Sequence, residues 1–279
     1  MPKPSPEFRK VFQALRRHGL LLESDARLPS LTQIVADEPI KGSWWGHPKG
    51  RLIFRITNQI DDHPDVLVTK LISGKVTFVH RKLWPALLAV ATAREAWQTR
   101  NLSPTARALL KLVTENGQVQ TDQLSGVSFS KNVSRKRSPG STGDPPVPSG
   151  DSPDGTGATV RENEDGLFAT WRPPVPVGES PTGAGESPAL PIFKTLSKSI
   201  SQATRELEMR LLVHSEQFHS DAGSHAKCLE TWEHWARRAG IAEKLPAADQ
   251  AKAGFEKIVT ALNQRFDGKG KLPWGETGQ

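Results

Sequence analysis

Two rows of basic and amide side chains at helical spacing offer the clearest chemistry in this chain. Lys49, Arg51 and Arg55 form one row, and Lys198, Gln202 and Arg205 form the other. Arginine reaches guanine through two parallel hydrogen bonds and glutamine can read adenine, so such rows suit base edges in a groove. The same rows also fit the wet face of any amphipathic helix. Lys70, Lys75, Arg81 and Lys82 surround a second kind of segment and are placed for phosphate, a contact that positions without specifying. GSWWGHPKG at Gly42–Gly50 is the least ordinary peptide. Two adjacent tryptophans cannot both face one core from a helix or strand. The peptide leads into a helix N-terminus, where free N–H groups attract anions. One indole, Trp44, is a candidate for stacking on an unpaired base. The alternative is a packing corner with Trp45 buried and His47 bonded to backbone.

Other chemistries find less support. His214, His219, His225 and Cys228 invite a zinc reading, but the odd separation of His214 and His219 puts them on opposite faces of an extended segment. Their spacing matches no closed structural zinc site, so no metal or other cofactor is expected. GxSxG, P-loop and dinucleotide fingerprints do not occur.

These side chains need elements to carry them, and the chain spells one order of elements twice. Phe8, Phe12 and Leu15 predict a helix over Pro6–His18. Ser30 can cap a second helix that ends by Ala36–Pro39. A third, from about Lys49 to Asp61, puts Leu52, Ile53, Ile56 and Ile60 on one face and Arg51, Arg55 and Asn58 on the other. DVLVTKLI and KVTFVHR flank Ser73-Gly74, a hairpin signal. A helix over Lys82–Gln98 follows.

The order begins again at Ser103-Pro104 and its helix stops at Asn116-Gly117. Val119 marks a short strand and Thr121 a second helix. A third helix spans about Leu196–Leu211. LLVHSEQFH, SDAGS and HAKCLETW then read as a second hairpin, before a helical pair over 231–266 with Leu229, Trp232 and Trp235 inward.

Three helices and a hairpin, repeated, predict a mainly α fold with small β-hairpins, an α+β arrangement of tandem winged helix-turn-helix units. Residues 1–100 would form the first unit. Residues 101–130 and 192–279 would form the second and its C-terminal helices. Between them, eleven of the 22 prolines lie from Pro139 to Pro191 among glycine, serine and acidic residues. Such a stretch buries too little apolar surface to offset its ordering entropy, so 131–191 is expected to be a disordered insert.

The bulk numbers agree with a polyanionic partner. The 279 residues carry a net charge of +7, and apolar residues make up only 36%, so part of the chain lies outside any core. A single cysteine, Cys228, excludes an intrachain disulfide and fits a cytoplasmic setting. The apolar run Ala86–Ala91 is far short of the ~20 residues that span a bilayer, so no membrane partner is expected.

The SWWGHP motif at Ser43–Pro48 and GKVTFVHRKLWPAL at Gly74–Leu87 resemble a bacterial family grouped with the AlkZ-type DNA glycosylases, and RLLVHSEQFHSDAGSHAKCLETWEHWA extends the match. The resemblance covers about 28–122 and 203–240. It implies tandem winged helices, a DNA partner and removal of alkylated or crosslinked bases. Those enzymes use a glutamine, an aliphatic residue, then aspartate or glutamine to orient water at the sugar carbon. Here that triplet would be Gln59-Ile60-Asp61, which implies Gln59 and Asp61 as catalytic. Asp61 and Asp62 also fit a plain helix end before His63-Pro64. The sequence therefore points first to a non-enzymatic duplex-DNA binder, repair-related or regulatory. A glycosylase and a protein–protein module are the alternatives.

Overall fold

The computed structural model describes residues 4–40, 42–126, 191–219 and 225–276, without the side chains of residues 125, 126, 191–198, 219, 225 and 276. The insert expected over 131–191 lies outside them, Pro191 apart. The described residues form an α+β fold with nine α-helices and two three-stranded antiparallel sheets. All of them fall in one compact unit, 1–129 together with 189–279.

The first run comprises α1 (Pro6–His18), β1 (Leu20–Leu22), α2 (Leu31–Ala36), α3 (Gly50–Asp61), β2 (Val66–Lys70) and β3 (Val76–His80). Ser5 Oγ accepts the Phe8 N–H at 3.1 Å to start α1, and Pro6 occupies its first turn. Gly19, at φ 79°, ends it in the left-handed conformation that glycine adopts without cost to a Cβ. The sheet order is β1-β3-β2, with Leu21 and Val68 both opposite Phe78.

Both faces of this sheet are covered. Leu21 and Phe78 pack with Val11, Leu15, Val35, Ile53 and Ile56 from α1, α2 and α3. Leu20, Leu22, Leu67 and Val79 face the other way, into a second cluster. A strand buried on both sides needs no apolar–polar alternation, which is why Leu20–Leu22 carries no strand signature in sequence.

Two short helices follow, α4 (Trp84–Ala91) and α5 (Ala96–Thr99), in place of the single helix expected over Lys82–Gln98. The break falls at Arg94, whose φ of 55° no helix accommodates. Fully buried Gln98 holds the corner: its Nε2 donates to Ala91 O at 3.0 Å, and its Oε1 accepts the Glu95 N–H at 2.8 Å.

The second run comprises α6 (Pro104–Asn116), β4 (Gln118–Gln120), a 3-10 turn at Asp122–Gly126, α7 (Pro191–Met209), β5 (His214–His219) and β6 (His225–Glu230). Its sheet repeats the first order, β4-β6-β5. Val119 pairs with Leu229, so chain on either side of the undescribed segment closes into one sheet. Ala106, Leu109, Val113, Ile200, Leu207 and Leu229 form its core.

Finally α8 (Trp232–Arg238) and α9 (Ala248–Phe266) pack on α4, with Trp235 edge-on to Trp84 at 5.2 Å. The chain end then braces the first hairpin. Ser73 N–H donates to Lys271 O at 2.7 Å, and Lys271 N–H to Ser73 Oγ at 3.1 Å. Among the described residues no helix is long and apolar enough to cross a membrane.

Candidate nucleic-acid interface and two perturbed carboxyls

Helix α3 sorts its side chains cleanly. Ile53, Ile56 and Ile60 are fully buried, while Arg51, Arg55 and Asn58 are exposed on the opposite side. The helix starts tightly against the tryptophan turn. A Cβ on Gly50 would lie 3.1 Å from Trp45 O, so a side chain there would crowd the backbone of the turn. Lys49 precedes this helix and does not point outward with the arginines. Its ammonium donates to Val35 O at 3.2 Å, Ala36 O at 2.9 Å and Asp37 Oδ2 at 2.8 Å, and so caps the C-terminus of α2.

Gln59 and Asp61 both lie within α3. Residues two apart on a helix of ~3.6 residues per turn point about 200° away from each other. The two side chains therefore do not converge. Asp61 instead feels the charge of Glu23, just past the end of β1.

Glu23 continues β1 by one residue, its N–H donating to Val76 O at 3.0 Å. Side chains alternate along the strand, so Glu23 shares the face of Leu21, toward α1–α3. It is 5% exposed, and its carboxyl has no hydrogen bond or ion pair among the described residues. Burial pushes this carboxyl up to about 7. Asp61 is also raised to about 7, by the protein crowded around it first and by the charges of Glu23 and Asp62 next. Asp61 nonetheless keeps an exposed surface. Water there favours its ionised form, so Glu23 is the member we take as protonated at neutral pH. Thr57, one turn before Asp61, is 9% exposed, and its Oγ1 has no hydrogen-bond partner among the described residues. Two carboxyls of unlike environment can serve as acid and base at one pH.

The residues around the first hairpin are engaged. Lys70 lies 2.9 Å from buried Glu208, Lys75 2.8 Å from Asp25, and Arg81 2.9 Å from Asp65. Lys82 donates to Arg16 O at 2.7 Å. The Lys75 ammonium and the Arg81 guanidinium are at least half exposed, so phosphate can compete with their carboxylates, more easily with Asp65 than with the mostly buried Asp25. Lys70 is tied to a carboxylate inside the protein. On α7, Gln202 and Arg205 are exposed, and the side chain of Lys198 lies outside the described residues.

Trp44 departs from the sequence expectation. It is 2% exposed and its ring stacks on Trp45 at 4.2 Å, which leaves no face for a base. The outer indole is Trp45, the reverse of the packing corner that sequence suggests. His47 is hydrogen-bonded, to Glu38 at 2.9 Å and to the Lys49 N–H at 3.1 Å.

His214, Glu216 and Glu230 bring ligand-type atoms within 4.8 Å of one another. A cation already serves these carboxylates, since Arg238 donates to both Glu216 and Glu230. Burial alone would raise Glu230, but hydrogen bonds from His214, Arg238 and His234 bring it down to about 2. The cluster is a closed ion-pair network. The side chains of His219 and His225 lie outside the described residues.

A family model described as AlkZ related matches residues 6–270. The chain belongs to the AlkZ-related family. The match spans both runs of elements in this AlkZ-related chain. No curated protein and no solved structure matches it.

Proposed function

We propose that this AlkZ-related chain is a duplex-DNA-binding protein with a role in DNA repair. In this reading the two runs are winged helices, residues 1–100 and residues 101–130 with 192–279, and α3 and α7 are their groove-facing helices. The observation that carries it is the outward face of α3, with exposed Arg51, Arg55 and Asn58 opposite three buried isoleucines. The repeated sheet order, in which the first strand pairs with the third, supports the same architecture. Phosphate contacts from Lys75, Arg81 and Arg205 would position the duplex, and the arginines of α3 would meet base edges.

Binding of this kind releases counterions. The affinity for duplex DNA should fall with salt, log against log, with a slope of roughly −0.9 per neutralised phosphate. Arg81→Ala, which removes one of the phosphate contacts, should make that slope shallower by about one contact. A flat salt response in a fluorescence-anisotropy titration would remove DNA and favour a protein partner.

A second reading, base removal, is favoured by one specific observation: a buried carboxyl, Glu23, with no hydrogen bond or ion pair among the described residues and within coulombic reach of Asp61. Perturbed carboxyls without a structural partner mark functional sites. Asp61, ionised, would take a proton from the water that attacks the sugar carbon. Glu23, protonated, would give its proton to the departing base as the N-glycosidic bond breaks. Glu23 thus replaces Gln59 in the pair that the family resemblance implies.

A further inference from the structure

Among the described residues, Phe54 is one of three exposed large apolar side chains, at 44%, and the structure does not leave it to stand alone. Behind it the rings form a column from surface to core. Trp45 lies 5.8 Å from Phe54, tilted by 43°, and Trp44 lies 4.2 Å beyond, nearly parallel. The column is fixed at its base by buried Trp44 and at its side by the close approach of the tryptophan turn to Gly50. His47, bonded to Glu38 and to the Lys49 N–H, holds the end of that turn. Such an array presents one rigid aromatic face at little entropic cost.

The surroundings say what that face meets. Arg51 lies one turn before Phe54, Arg55 follows it, Asn58 lies one turn beyond, and all three are exposed. A hydrophobic protein-docking site is a contiguous apolar patch of several hundred Å², and a single ring is not one. Met209, another of the exposed apolar residues, packs instead against Gly74 of the first hairpin. One ring between cations suits a flat aromatic group carried on a polyanion. In paired duplex the base faces are occupied by their neighbours, so the ring needs a base that has left the stack.

We infer that Phe54, backed by Trp45, is the platform on which an unpaired base of the bound DNA strand stacks. This rests on the DNA-binding reading above. Phe54, Thr57 and Asp61 share one flank of α3, and seven residues of helix rise only about 10 Å, so the base would lie close to the Glu23–Asp61 pair.

The test compares two oligonucleotides containing 2-aminopurine, one fully paired and one with the fluorescent base in a bulge, titrated with the full-length chain. Stacking should quench the bulged base. Phe54→Ala should weaken binding of the bulged probe by about 10-fold and leave the paired probe within about twofold, while Phe54→Trp restores both quenching and affinity. Unchanged binding and quenching in Phe54→Ala, with paired DNA still bound, would overturn the platform and leave the DNA reading intact. Failure of the wild-type chain to bind either probe at low salt would overturn both. Displacement of the bulged probe by polyglutamate as readily as by oligothymidylate, at equal charge, would assign the surface to an acidic protein instead.

Discussion

Glu23→Gln should stabilise the protein at pH 8 by up to about 3 kcal/mol and leave its stability at pH 4 nearly unchanged. The Glu23 carboxyl titrates near 7 in the fold against an ordinary value of 4.5. Below that ordinary value it is protonated in both folded and unfolded chains and contributes nothing. Between the two values the folded chain keeps a proton that the unfolded chain has released, so stability falls as pH rises. Above 7 the loss is complete. Glutamine occupies similar space and never ionises, so the variant should flatten this part of the pH profile. Asp61 titrates in the same direction, but its exposed surface moderates its share. Guanidinium midpoints at pH 4, 6 and 8 measure the effect. A gain of equal size at pH 4 and pH 8 would show that packing, not charge, was changed.

The same substitution tests the reading of the site. A carboxyl that destabilises the fold at neutral pH has a reason to persist if it handles a proton. Incubation of alkylated duplex with the wild-type chain should then leave abasic sites, and Glu23→Gln should slow their appearance by at least about 100-fold. Asp61→Asn should do likewise, whereas Gln59→Ala should leave the rate close to wild type because that side chain points away. Loss of activity in Gln59→Ala alone would return the chemistry to the sequence triplet. Absence of base release from the wild-type chain would end the enzymatic reading and leave DNA binding standing.

What the sequence made legible was local. Three isoleucines at helical spacing placed α3 and its exposed arginines, and Ser73-Gly74 between two β-branched runs placed the first hairpin. Caps such as Ser30 and Ser103 act within three residues, so their signals lie side by side in the chain. The site depends on contacts that spacing does not encode. Glu23 carries no signal in the sequence, and only its bond to Val76 O shows that it extends the inward face of β1. Lys75 and Arg81 looked available because Asp25 and Asp65 are far from them in sequence. Which of Trp44 and Trp45 is buried depends on how the turn packs against the core of the first run, a contact between elements. Arg94 broke a long apolar helix that its neighbours all favoured, because Gln98 folds back to satisfy Ala91 O.

The largest structural effect should come from Glu208→Ala, with a loss of about 3–5 kcal/mol, nearer the lower figure because both lysines reach solvent at one side. Glu208 lies on α7, 4% exposed. It binds Lys227 of β6 and the Ser215 hydroxyl of β5 within its own run. It also faces Lys70 of β2 in the first run, whose ammonium lies 2.9 Å from Oε2 but is not aligned for a hydrogen bond, so that attraction is coulombic. Burial by itself would raise the Glu208 carboxyl, yet the charges of Lys227 and Lys70 hold it below the usual range. The carboxylate therefore stabilises the fold above its unfolded pKa, and this contribution fades only as pH falls through the depressed folded value. Truncation to alanine leaves two partly buried ammonium groups facing each other without a counter-charge, across the contact between β2 and β5. Replacing all three groups by apolar ones, as Lys70→Met, Glu208→Leu and Lys227→Met together, should recover most of the loss, since the penalty comes from unpaired charge rather than missing volume. Urea unfolding of the two variants reads this directly. A triple variant as unstable as the single one would mean that Glu208 acts through shape and the Ser215 bond, and not by joining the two runs through charge.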